Sequence, residues 1–175
     1  MSELEDDVRE LLERQAIVDV INDYCHYVDL KDFDTMVEKV WALDGSDAHG
    51  ERLVKGREAI RDWYEREGTP NLSSNVHAIS NVMVRRDGER ATMISLVLSW
   101  AWTKETDGAG PLRPADYATA SRYNDELSKY PEGWRIDRRF VTPAAESVIA
   151  IGAVPESQRH LRARAAKLDA EAARR

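Results

Sequence analysis

Residues 76–103 read "VHAISNVMVRRDGERATMISLVLSWAWT", and the fold turns on this stretch. Two runs rich in Val, Ile, Met and Trp flank Asp87-Gly88, a dipeptide suited to a tight turn between paired strands. "SLVLSWAWT" is apolar on both faces, whereas a sheet with one wet face would alternate more strictly. A β-hairpin is expected, with its outer face covered as well as its inner one. In the first strand, alternation sets Val76, Ala78, Ser80 and Val82 on one face and His77, Ile79, Asn81 and Met83 on the other. The second group reads as the interior. An inward histidine among apolar side chains needs a polar partner.

Upstream of the hairpin the period changes. Val8, Leu11, Leu12, Ala16, Ile17, Val20, Ile21, Tyr24 and Val28 recur at helical spacing, which predicts one long helix capped by Ser2. "LKDFDTMVEKVW" (30–41) predicts a second, short helix with Asp32 as N-cap and Phe33, Met36, Val37 and Val40 inward. "ALDGSDAHGERLVKG" (42–56) mixes turn residues with short extended pieces. "GREAIRDWYEREG" (56–68) predicts a third helix between two glycines.

Downstream, "KETDGAGPLRPAD" (104–116) is a loop. "YATASRYNDEL" and "WRIDRRFVT" alternate around "SKYPEG" and predict a second hairpin, in which one of Arg138 and Arg139 points inward and the other outward. From Pro155 to Arg175 the apolar stripe thins to Leu161, Ala165, Leu168 and Ala172, as in a peripheral helical tail. Helices first and antiparallel strands after predict the α+β class, with N-terminal helices packed on a curved, mostly antiparallel sheet. The expected organisation is one domain over residues 1–150, with 151–175 as the tail.

The chain has 175 residues and a formal net charge of -7. That charge excludes the basic footprint that nucleic-acid binding requires. The single cysteine, Cys25, excludes an internal disulfide and a cysteine-based zinc site. No apolar run approaches the roughly 20 residues of a membrane span, and the acidic N-terminus lacks an apolar leader core. A cytoplasmic protein without membrane partners is expected. Phosphate- and dinucleotide-cradling glycine motifs are absent. The four histidines, His26, His49, His77 and His160, stand far apart. Neither a cofactor nor a metal is expected, so side chains alone carry any chemistry.

The succession "YCHYVDLKDFD" (24–34), "VKGREAIRDWY" (54–64), "VHAISNVMV" (76–84) and "GWRIDRRFVTP" (133–143) resembles the SnoaL-like group of cone-shaped α+β barrels, within the superfamily of nuclear transport factor two and ketosteroid isomerase. The pattern is most similar to scytalone dehydratase, bile-acid 7α-dehydratase and hexachlorocyclohexane dehydrochlorinase. It spans Leu11 to Pro143. The resemblance implies that Asp29, just past the first helix, pairs with His77 on the first long strand. It also implies a role for Tyr24, five residues before the aspartate. The dehydrochlorinase has a lysine where Tyr24 stands. Trp100 occupies about the place of a second histidine in scytalone dehydratase. Substrate and leaving group therefore stay open.

The implied chemistry stands on its own terms. Histidine titrates near neutral pH and suits general base work. A carboxylate on its far nitrogen fixes the tautomer and stabilises the imidazolium. Tyr24 can donate a hydrogen bond to a carbonyl or departing oxygen. Tyr24 and Asp29 lie about 140° apart on an ideal helix, so sharing a pocket requires the helix to end or bend near Val28. His49 either reaches that pocket or sits in a turn. Asn81 shares the face of His77. Trp41, Trp100 and Trp102 belong either to the core and subunit contacts or to an aromatic wall around the substrate. His26 and His160 read as surface.

The expected function is a cofactor-independent lyase acting on a hydrophobic aromatic or polycyclic small molecule. It would eliminate water, or release a small group such as formaldehyde by retro-aldol cleavage. Alternatives are a ketosteroid-isomerase-like isomerase, and a non-catalytic binding module or accessory β-type subunit of a ring-hydroxylating oxygenase, whose cavity would be filled. A homodimer or homotrimer through the outer sheet face is expected.

Overall fold

The computed structural model describes residues 2–49, 52–105 and 114–150, the last six of these by their backbone alone. The expected tail, 151–175, lies outside the described residues. Three helices, α1 (Glu3–Leu30), α2 (Phe33–Val40) and α3 (Arg57–Trp63), accompany six strands: β1 (Trp41–His49), β2 (Arg52–Lys55), β3 (Leu72–Asp87), β4 (Arg90–Thr103), β5 (Tyr117–Tyr130) and β6 (Gly133–Ala150). Both hairpins expected from the sequence form, β3–β4 and β5–β6. The segment 42–56 is more ordered than its turn residues suggest, because β1 and β2 pair antiparallel there.

The sheet order is β2-β1-β6-β5-β4-β3. Every neighbouring pair is antiparallel except β1 and β6. The sheet curves but stays open, so the expected α+β class holds without a closed barrel. Gly45 permits the parallel junction. A Cβ there would stand 2.9 Å from the Ile136 carbonyl oxygen and 3.0 Å from that of Ala42, inside the irregular register between Trp41 and Ser46.

Ser2 and Glu5 form a reciprocal capping box at the start of α1. The helix ends near Val28, running to Leu30 and stopping at Lys31, whose φ is 59°. The Lys31 ammonium then donates to the carbonyls of Leu72 and Ser73, fastening the helix end to β3. Ile17, Val20, Ile21, Tyr24 and Val28 are buried as their spacing predicts, but Leu4, Val8, Leu11 and Leu12 are exposed. A helix of 28 residues is about 42 Å long, and it outruns the sheet beneath it. Side chains at its middle still reach the sheet: Glu10 pairs with Arg86, and Glu13 accepts from Lys129 and from the Trp134 indole.

Asp32 caps α2 by accepting from the Thr35 amide, and Phe33, Met36, Val37 and Val40 are buried as expected. The core lies between α1, α2 and the concave sheet face, built on Ile17, Ile21, Met36, Ile60, Met93 and Ile136, all fully buried. Each such side chain contributes about 1.5–3 kcal/mol on burial.

Candidate active site

A cavity of about 440 Å³ opens between the C-terminal half of α1 and the sheet, with His77, His49, Tyr24 and Tyr123 among its lining residues. A larger cleft of about 690 Å³ lies at the β3–β4 turn, walled by charged side chains such as Arg85, Arg90 and Glu126. It contains no buried acid–base pair, so the smaller cavity is the candidate site.

His77 and Asp29 meet as the resemblance implied. The Asp29 Oδ1 lies 2.6 Å from His77 Nδ1, and its Oδ2 accepts the His77 main-chain N–H at 2.9 Å. Asn75 Nδ2 donates to the same Oδ1 at 3.0 Å. Three donors thus fix one carboxylate. With Asp29 accepting, the Nδ1 proton is held and the Nε2 lone pair is left for the cavity. The side chains of His77 and Asp29 are 11% and 22% exposed, within reach of a substrate yet largely shielded from water.

Tyr24 and Asp29 both serve this region, and the helix ends near Val28 as that requires, at Leu30. The curved sheet solves the geometry. α1 touches β3 on one side and β6 on another, so Asp29 reaches Asn75 and His77 while Tyr24 reaches the interior. The Tyr24 hydroxyl lies 2.9 Å from that of Tyr64 and 3.5 Å from that of Tyr123. Tyr64 donates its own proton to Asp47 Oδ2 at 2.8 Å. The direction of the chain follows: Tyr24 donates to Tyr64, and Tyr123 stands at the open end with its proton uncommitted or weakly shared. Burial pushes all three phenols well above their ordinary values, so they act as neutral donors.

Beneath the tyrosines lies Arg139. Its guanidinium grips Asp125 through Nε and Nη2 at 2.8 and 2.9 Å. It sits 4.1 Å from the Tyr24 ring centroid and 4.4 Å from that of Tyr123. Burial opposes its charge, but Asp125 outweighs burial and holds the guanidinium protonated. Arg139 is the inward arginine and Arg138 the exposed one. Trp134 and Ile136 would set Arg138 inward by simple alternation. An extra residue at Asp137, opposite Glu126 and Leu127 of β5, reverses the parity.

His49 reaches the cavity. Its Nδ1 lies 2.9 Å from Asp47 Oδ1. Burial alone would raise the Asp47 carboxyl. His49, Arg139 and the Tyr64 hydroxyl together outweigh it and hold the carboxyl below its ordinary value. The Trp63 indole covers the imidazole at 5.0 Å, tilted by 35°. Tyr64 begins a π-helical turn, Tyr64–Gly68, that follows α3. A Cβ at Gly68 would meet the Trp63 ring at 3.3 Å, so the bare glycine lets that ring lie against the turn.

Three expected lining residues are placed elsewhere. Trp41 is fully buried in the core, its indole N–H directed at Met36 Sδ at 3.2 Å. Asn81 is exposed with a φ of 51°, in a bulge that breaks the strand's alternation between Ser80 and Met83. The bulge turns Val84 inward and leaves Met83 55% exposed. Trp102 is not part of the cavity wall, whereas Trp100 is. His26 is exposed, as expected; His160 lies outside the described residues. Sequence reasoning missed Asn75, Asp47, Tyr64, Trp63, Tyr123 and Asp125. A polar run on an inward strand face, Tyr123 and Asp125 two apart opposite an arginine, was the available signal.

Among the described residues no cluster of His, Cys, Asp and Glu suits a metal ion, and no helix is long and apolar enough to cross a membrane. A family model described as a SnoaL-like domain matches residues 9–140. No curated protein matches the chain in sequence. Among solved structures, the hexachlorocyclohexane dehydrochlorinase LinA-type3 of Novosphingobium barchaimii LL02 is 20% identical, with a TM-score of 0.69, over 85% of this chain and 99% of its own. A scytalone dehydratase-like protein of Novosphingobium aromaticivorans DSM 12444 is 20% identical, with a TM-score of 0.66, over 84% and 96%. A nuclear transport factor two-like protein of Salmonella enterica is 19% identical, with a TM-score of 0.66, over 82% and 99%. At these identities the likeness is one of fold.

Proposed function

The chain belongs to the SnoaL-like family, and from that premise we propose that it is a cofactor-independent lyase for a hydrophobic, ring-containing small molecule. Fold alone does not decide function. The observation that carries the reading is the His77–Asp29 contact of 2.6 Å on the wall of a 440 Å³ cavity. That volume falls in the range of small-molecule sites. An accessory subunit with a filled interior has no use for it.

His77 Nε2 removes a proton from carbon. Asp29 holds the ring's tautomer and stabilises the imidazolium as it forms. The charge that develops on a neighbouring carbonyl oxygen is met by a phenol; the hydroxyl contacts favour Tyr123 for that donation, with Tyr24 behind it. Val97 and Trp100 supply apolar wall. Elimination of water, or retro-aldol loss of a small group such as formaldehyde, runs on the same apparatus.

The test is a variant series assayed on β-substituted cyclic ketones fused to an aromatic ring. His77→Ala is expected to reduce turnover to background. Asp29→Asn, which favours the wrong tautomer, is expected to cost about 10⁴-fold by analogy with the serine protease triad. Tyr123→Phe is expected to cost about 10²-fold, more than Tyr24→Phe. Near-normal rates in His77→Ala would overturn the lyase reading and favour a binding module.

A further inference from the structure

Elimination of water needs two proton transfers, one from carbon and one to the departing hydroxide. The Asp29–His77 dyad supplies the first. β1 and β3 are separated in the sheet by β6, β5 and β4, yet both line the one cavity through His49 and His77. A second imidazole–carboxylate pair therefore lines the same substrate space as the first. We propose that His49, oriented by Asp47, is the acid that protonates the leaving group, an inference that rests on the lyase reading.

The step balances. His77 Nε2 takes the proton on the carbon next to the carbonyl, and the C–H electron pair becomes the new C=C bond. The C–O bond breaks, and its electron pair leaves with oxygen. That oxygen takes the proton from His49 Nε2, so hydroxide departs as water. His77 is left protonated and His49 neutral, and exchange with solvent resets both. An isomerase needs no such acid, because its single base returns the proton to the substrate.

Four observations support the assignment. Asp47 is 2% exposed and Tyr64 occupies its Oδ2, so Oδ1 is left for His49 alone. The 2.9 Å separation puts the Asp47 carboxylate against the imidazole. With Nδ1 against Asp47, Nε2 is the nitrogen left for substrate. The side chain of His49 is 27% exposed beside one that is 1% exposed, which keeps the proton donor accessible and its counter-charge dry.

The experiment compares two leaving groups on one scaffold: a β-hydroxy indanone, whose hydroxide needs protonation, and its β-chloro counterpart, whose chloride does not. Formation of the conjugated ketone is followed by ultraviolet absorbance. His49→Gln is expected to slow the hydroxy compound by about 10²-fold and the chloro compound by less than about threefold. Asp47→Asn is expected to show the same bias. Equal losses on both compounds, or no loss on the hydroxy compound, would overturn the assignment while leaving the lyase reading intact. If the wild-type chain converts the chloro compound no faster than His77→Ala does, the lyase reading falls and this inference with it. Should His49→Gln lose its near-ultraviolet circular dichroism, His49→Phe, which keeps an aromatic ring beneath Trp63, is read in its place.

Discussion

Replacing Arg139 by methionine should be among the most destabilising substitutions in this chain. The guanidinium is 0% exposed and its partner Asp125 is 2% exposed, so solvent screens neither. Methionine keeps the unbranched apolar stem but removes both hydrogen bonds to Asp125 and the charge over two tyrosine rings. Breaking a buried ion pair on one side costs about 3–5 kcal/mol, most of it from the charge left behind. Loss of the desolvated cation–π contacts adds about 1–2 kcal/mol. The terms share atoms and do not simply add. A total near 5 kcal/mol is expected, against a typical domain stability of about 5–15 kcal/mol.

Urea unfolding, with the slope checked for constancy, measures it. The pH dependence gives a second reading. Burial already pushes the Asp125 carboxyl up in the intact protein, and without Arg139 the main group opposing it is gone. A raised folded value means the folded state holds its proton more tightly than the unfolded state. The deficit of Arg139→Met is therefore smallest below the ordinary carboxylate value of about 3.9 and grows as pH rises through the folded one. Asp125→Asn in the same background should restore part of the loss and flatten this dependence. A penalty below about 1 kcal/mol for Arg139→Met, or a double variant as weak as the sum of the singles, would refute the reasoning.

Burial pushes the Cys25 thiol up to about 12, so an aromatic disulfide reagent should leave it untouched near neutral pH until denaturant is added; prompt stoichiometric labelling of the native protein would contradict this. We propose that the outer sheet face is the surface through which copies of this chain assemble. The strand register sets Met83, Ile94, Asn124 and Phe140 in one row across four strands, and Met83, Ile94, Leu98 and Phe140 are 55%, 37%, 40% and 46% exposed. Light scattering at tens of micromolar should find a dimer or trimer that Phe140→Glu dissociates; a monomeric wild-type chain would defeat the proposal.

Local signals were legible in this sequence and convergent ones were not. The α1 period, the Asp32 cap and the Asp87-Gly88 turn are short-range features, and all three stand in the structure. Asp29 and His77 were reached through the family pattern, because residues 48 apart carry no mutual periodicity. Alternation failed for Asn81 at a bulge, since one extra residue reverses every later side chain and leaves no compositional mark. Trp41 was open between core and aromatic wall, and its place beside α2 buries it completely. Tyr64, Asp47, Tyr123 and Arg139 come from four separate elements. Nothing local announces that they meet.

The parallel pairing of β1 with β6 dictates when the site is assembled. β1 is made early and β6 is the last of the described strands, so during synthesis β1 waits with its β6-facing edge unpaired. The Asp29–His77 half needs only α1 and β3, which neighbour elements made soon after. The Asp47–His49 half is seated only when β6 arrives to bridge β1 and β5. Such long-range closure is slow compared with hairpin formation. A nascent or truncated chain lacking β6 would expose strand edges able to pair with other chains. Assembly of the candidate cavity is thus completed only when β6 docks.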